Sequence, residues 1–77
     1  MHLKMKESQM KFTIEYEQEE DGRWIAEVLE LPGVIAYGQT QEEATAKVEA
    51  LGLRVVADRI EHGEEIPVPF TISFAVP

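Results

Sequence analysis

The chain has 77 residues, no cysteine, and a formal charge of −8 from 15 acidic and 7 basic side chains. This length supports one small domain with a modest core, and the lack of cysteine excludes a disulfide framework, thiolate catalysis and a Cys-based zinc site. So acidic a body repels phosphate backbones, and its charge either attracts basic proteins or simply keeps a small protein soluble; no apolar run is long enough to read as a membrane span.

Residues 1–10, MHLKMKESQM, are polar and read as a flexible leader ahead of a single domain over residues 11–77. They lack the apolar stretch of a secretory signal, so a cytoplasmic protein is expected. Lys4, Lys6 and Lys11 gather positive charge at this end, leaving Arg23, Lys47, Arg54 and Arg59 to oppose the carboxylates that follow.

KFTIEYE alternates Phe12, Ile14 and Tyr16 with Lys11, Thr13, Glu15 and Glu17, the period of a strand with one buried face. QEEDG ends in the turn signal Asp21-Gly22. RWIAEVLE then places Trp24, Ala26 and Val28 on one face of a second strand and Glu27 on the other. The two strands should pair as an antiparallel hairpin. Leu31-Pro32-Gly33 turns the chain, and VIAYG makes a short third strand ending at Gly38.

Thr40 and Glu43 form a T-x-x-E capping box, in which hydroxyl and carboxylate satisfy the free amides of a helix start. Glu42 adds negative charge near the positive end of the helix dipole. The helix is predicted from Gln41 to about His62, with Gly63 in the left-handed position that ends it. EEIPVP forces an extended exit, and FTISFAV is a fourth strand with Phe70, Ile72 and Phe74 on one face and Thr71 and Ser73 on the other.

The order β-β-β-α-β, with a right-handed crossover into the last strand, gives an α+β two-layer sandwich of sheet order 3-2-1-4. One helix covers one face. The other face, bearing Thr13, Glu15, Glu17, Thr71 and Ser73, is expected to stay wet. At 100° per residue Ala44, Val48, Leu51 and Val55 form the core-facing stripe of the helix. Ala46, Ala50, Leu53, Ala57 and Ile60 cluster on roughly the opposite side and make a candidate oligomer interface; the alternative is that the alanines serve only as good helix formers, leaving Leu53 and Ile60 as the exposed apolar residues. Thr45, Glu49 and Val56 fall on a flank. Gly52, in mid-helix, costs up to ~1 kcal/mol relative to alanine and leaves room for a close approach.

This topology echoes the core of ribonuclease H, so a two-metal nuclease is the enzymatic reading to weigh. Such a site needs acids converging from two strands and the helix. Glu15, Glu17 and Glu27 lie instead on the sheet face turned away from the helix. They fit a solvated acidic face better, one that can dock a basic partner. His2 and His62 have no Cys or His companion, so no metal or cofactor is expected. Ser8 and Ser73 lack a His/Asp arrangement, and Trp24 and Tyr37 read as core and edge packing rather than base-stacking platforms. No catalytic residue is expected.

The stretch DGRWIAEVLELPGVIAYGQTQEEA resembles the HicB-like antitoxins. The shared pattern is Asp21-Gly22, Trp24, Ala26, Leu31-Pro32-Gly33, Gly38-Gln39-Thr40 and Glu43-Ala44, followed by Gly63, Ile66, Pro67 and Pro69 after the helix. The resemblance implies a partial ribonuclease H fold without the nuclease residues. It also implies a role in masking a small basic mRNA-cleaving toxin of the HicA type, itself similar to a double-stranded RNA-binding domain. Many members carry a C-terminal DNA-binding domain; the resemblance here is to a short form. The alternative is an orphan protein-interaction module with no toxin.

Overall fold

The period-two alternation does set up four strands, and the computed structural model describes residues 8–64 and 69–77. They are β1 (Ser8–Gln18), β2 (Trp24–Val28), β3 (Ile35–Gly38) and β4 (Phe70–Ala75), with α1 (Gln41–Glu61) between β3 and β4. The sheet order is β3-β2-β1-β4, with β1 and β2 antiparallel, β2 and β3 antiparallel, and β1 and β4 parallel. This is the α+β arrangement that the alternation and the helix signals predict.

β1 begins at Ser8, so Ser8–Met10 of the expected leader are strand. The cause is β4: Ser8, Gln9 and Met10 lie opposite Phe70, Thr71 and Ile72, and Met10 extends the inward row of Phe12 and Ile14. The eleven residues of β1 serve two neighbours in succession. Ser8–Thr13 pair with β4, whereas Ile14–Gln18 pair with β2.

The core gathers Phe12 and Ile14 of β1, Ala26 and Val28 of β2, Leu31 and Val34 of the turn, and Ala44, Val48 and Val56 of the helix. Phe12 stacks at a tilt on Phe74, ring centres 5.5 Å apart, and Tyr16 meets Trp24 edge to face. The helix lies chiefly over β2 and β3.

Val56 overturns part of the stripe assignment. Ala44, Val48, Gly52 and Val56 are the buried row, while Leu51 and Val55 are only partly buried. Helix residues four apart drift around the axis by about 40°, so a row of step four winds gradually from Ala44 to Val56 and follows the sheet's twist. Val56, placed on a flank by sequence, therefore faces the core at 4% exposure.

Candidate interaction face

The elements that frame the sheet are locked by the residues singled out in the sequence. Leu31 is buried, and Val34 N–H donates to its carbonyl at 3.0 Å. Pro32 and Gly33 sit at the second and third positions of that turn, and Gly33 has φ of +86°, the arrangement of a type II turn. Gly38 is required by contact: a Cβ there would come within 2.5 Å of the Ala44 backbone nitrogen. Thr40 caps the helix, its hydroxyl accepting from Glu43 N–H at 3.0 Å. Only this half of the capping box forms as expected. The Glu43 carboxylate turns to Lys47 Nζ at 3.0 Å, and that contact holds its carboxyl below the usual range.

At the other end Gly63 N–H reaches Ile60 O and Glu64 N–H reaches Arg59 O, a Schellman closure with Gly63 at φ +74°. His62 donates within this last turn, its Nδ1 2.8 Å from the Asp58 carbonyl. Pro67 and Ile66, like His2, Lys4 and Lys6, lie outside the described residues.

Tyr16 and Thr45 fasten the helix to β1. The Thr45 hydroxyl has one proton, which it donates to the Gln41 carbonyl at 2.8 Å. The Tyr16 hydroxyl therefore donates to Thr45.

The sheet face away from the helix carries the candidate site. Register sets its rows: Glu15 of β1 lies opposite Glu27 of β2, which lies opposite Ile35 of β3. The next row runs Glu17, Ile25, Tyr37. Glu15 and Glu17 are exposed and Glu27 half-buried. Among the described residues, none of the three has a cation within salt-bridge distance. Like charges directly opposite destabilise a strand pair, so the Glu15–Glu27 register is unfavourable for the isolated domain.

Beside these acids lies an apolar strip that sequence reasoning missed. Ile35 is 41% and Tyr37 47% exposed, with Ile25 half-buried between β1 and β3. Parity held the signal: with Trp24, Ala26 and Val28 inward, Ile25 must point outward, and Tyr37 with it. Arg23 stands over the Tyr37 ring at 5.2 Å from its centre and is tied to Asp21 at 2.8 Å. Its amide and guanidinium lower the Asp21 carboxyl. The face is thus acidic over β1 and β2 and apolar toward β3, where dry contact could anchor a partner.

Glu15, Glu17 and Glu27 are not joined by any helix carboxylate, because α1 covers the opposite face. Among the described residues no group of three or more His, Asp or Glu side chains is placed to hold a metal ion. The second helix stripe is exposed at Ala46, Leu53, Ala57 and Ile60, while Ala50 is half-buried. No helix among the described residues is long and apolar enough to cross a membrane.

No model of a known protein family matches the chain, and no solved structure matches it. One relative decides the family: the UPF0150 protein Ta0767 of Thermoplasma acidophilum is 31% identical over 58 residues, covering 75% of this chain and 84% of the relative. The chain belongs to the UPF0150 family. As a UPF0150 protein it is a small α+β domain whose shared stretch is long enough to include most of the sheet and helix. The residues that carry the resemblance drawn from sequence, Trp24, Ala26, Leu31, Pro32, Gly33, Gly38, Thr40, Glu43, Ala44 and Gly63, build turns, caps and core in this UPF0150 fold. None of them lies on the outward face.

Proposed function

We propose that this UPF0150 chain is a non-catalytic, antitoxin-like binding protein that masks a small basic toxin of the HicA type in the cytoplasm. The observation that carries the reading is the outward sheet face, where Glu15, Glu17 and Glu27, with no cation in salt-bridge distance among the described residues, adjoin exposed Ile35 and Tyr37. A basic, RNA-binding partner brings cations to those carboxylates and relieves the Glu15–Glu27 repulsion. The apolar strip supplies desolvated contact that charge alone does not. The likeness of the sequence to HicB-like antitoxins supports the same assignment.

The test is titration calorimetry with small basic proteins, beginning with any encoded beside this gene, at two salt concentrations. Binding that weakens as salt rises, and that Glu15→Lys with Glu17→Lys abolishes while the fold persists, supports the proposal. Absence of binding at low salt, or binding indifferent to the double substitution, leaves an interaction module with another kind of partner.

A further inference from the structure

β4 ends the sheet, and among the described residues no strand lies along its outer edge. Ser8 N–H donates to the Pro69 carbonyl, which fixes the polarity of the β1–β4 ladder. With Ser8 opposite Phe70, the backbone groups of Thr71, Ser73 and Ala75 turn toward β1. Those of Phe70, Ile72 and Phe74 turn toward the open edge. The same three residues place their side chains on the inner face, where they are only half-buried because the helix lies over β2 and β3.

Among the described residues this edge lacks the usual protections. Natural edges are blunted by lysine, inward charge, proline or a bulge. Phe70–Ala75 contains no charge and no proline, and in the paired half of β1 Lys11 is the only charged residue. The other edge, β3, is also uncharged but offers only four residues and lies beside Glu27, so β4 is the longer nearly neutral border of a −8 chain. A basic partner finds its carboxylates elsewhere, but two copies of an acidic protein approach with least repulsion here.

We propose that β4 is a self-association edge, pairing antiparallel with β4 of a second copy across a two-fold axis. The parity is self-complementary. Setting Ile72 against Ile72 of the second copy, or against its Phe74, brings facing N–H and C=O groups together for up to about six hydrogen bonds. Either register keeps both inner faces on one side, so Phe70, Ile72 and Phe74 of the two copies form one apolar surface with β-branched and aromatic cross-strand neighbours. The pair makes a continuous sheet of order 3-2-1-4-4-1-2-3 and leaves the acidic outward faces free.

Sedimentation of the full chain across a dilution series tests the proposal. The wild type should sediment at twice the 8.7 kDa chain mass. Ile72→Pro removes an edge N–H that β1 does not use, a substitution edge strands tolerate, and should halve that mass with the far-ultraviolet dichroism retained. Should Ile72→Pro fail to fold, Ser73→Lys decides: it alters an exposed side chain, puts a lysine on the edge strand and sets like charges near the two-fold beside Lys11, so it too should give monomer. Leu53→Asp, in the helix stripe, should leave the dimer intact. A wild type that is monomeric throughout overturns the proposal. So does a dimer that survives a folded Ile72→Pro or Ser73→Lys, or one dissolved by Leu53→Asp.

Discussion

The Glu30 carboxylate stands in for a strand neighbour of Thr13, accepting its backbone N–H at 2.7 Å and its hydroxyl at 2.8 Å. β2 has ended at Val28, and the chain is already turning toward Leu31, so Thr13 would otherwise lose a partner on that side. Leu29 N–H, at 3.0 Å from the Thr13 carbonyl, completes the join. The Thr13 amide, and then its hydroxyl, hold the Glu30 carboxyl below the usual carboxylate range.

A carboxyl lowered in the folded state contributes stability above its unfolded pKa of about 4.3 and loses it as pH falls through the folded value. Glu30→Ala should therefore lower the melting temperature at neutral pH. The gap between variant and wild type should close as the pH drops below about 4. Thermal melts across that range check the expectation, and a gap independent of pH would assign the loss to packing rather than to the ionised side chain.

Gly38 and Gly52 should respond differently to alanine. The Cβ added at Gly38 meets backbone at 2.5 Å, which cannot move without shifting the helix start. Gly38→Ala should cost about 3 kcal/mol in urea unfolding. At Gly52 the added Cβ meets the Phe74 ring at 3.3 Å, and the ring can give way. Improved helix propensity of about 1 kcal/mol offsets that adjustment, so Gly52→Ala should stay within about 1 kcal/mol of wild type.

Val56 and Leu53 test the corrected helix face. Val56→Ala removes buried methyls and should cost about 2 kcal/mol. Leu53 is 47% exposed, and Leu53→Ala should change stability by no more than about 0.5 kcal/mol. Equal costs in denaturant unfolding would restore the face that periodicity alone indicates.

Thr40→Ala removes the hydroxyl that holds the Glu43 amide. The loss should be about 1 kcal/mol, and Thr40→Ser should recover most of it. Since Glu43 pairs with Lys47 rather than completing the box, Glu43→Gln should cost less than Thr40→Ala in the same unfolding assay.

Much of this fold is legible because its signals are local. Alternation gives four strands, Thr40 and Gly63 bound the helix, and right-handed crossover leaves β4 a single free edge beside β1. What escaped depends on relations between distant residues. Nothing near Ser8 announces a strand; Phe70 and Ile72 make it one. The helix row ends at Val56 rather than Val55 because it follows a sheet whose twist no heptad records. Ile35 and Tyr37 look like ordinary strand residues until the register sets them beside Glu27 and Ile25. Glu30 counts as one more surface acid until β2 ends and leaves Thr13 beside it.

The divided pairing of β1 also dictates an order of assembly. Ile14–Gln18 find β2 after closing a short hairpin, whereas Ser8–Thr13 must wait for β4, roughly sixty residues along the chain. During synthesis the β2 half can lock while the β4 half still lacks its neighbour. One strand therefore contains both an early and a late cooperative unit, and amide exchange along it should be graded, slower at Glu15 and Glu17, whose amides face β2, than at Ser8, Met10 and Phe12, whose amides face β4.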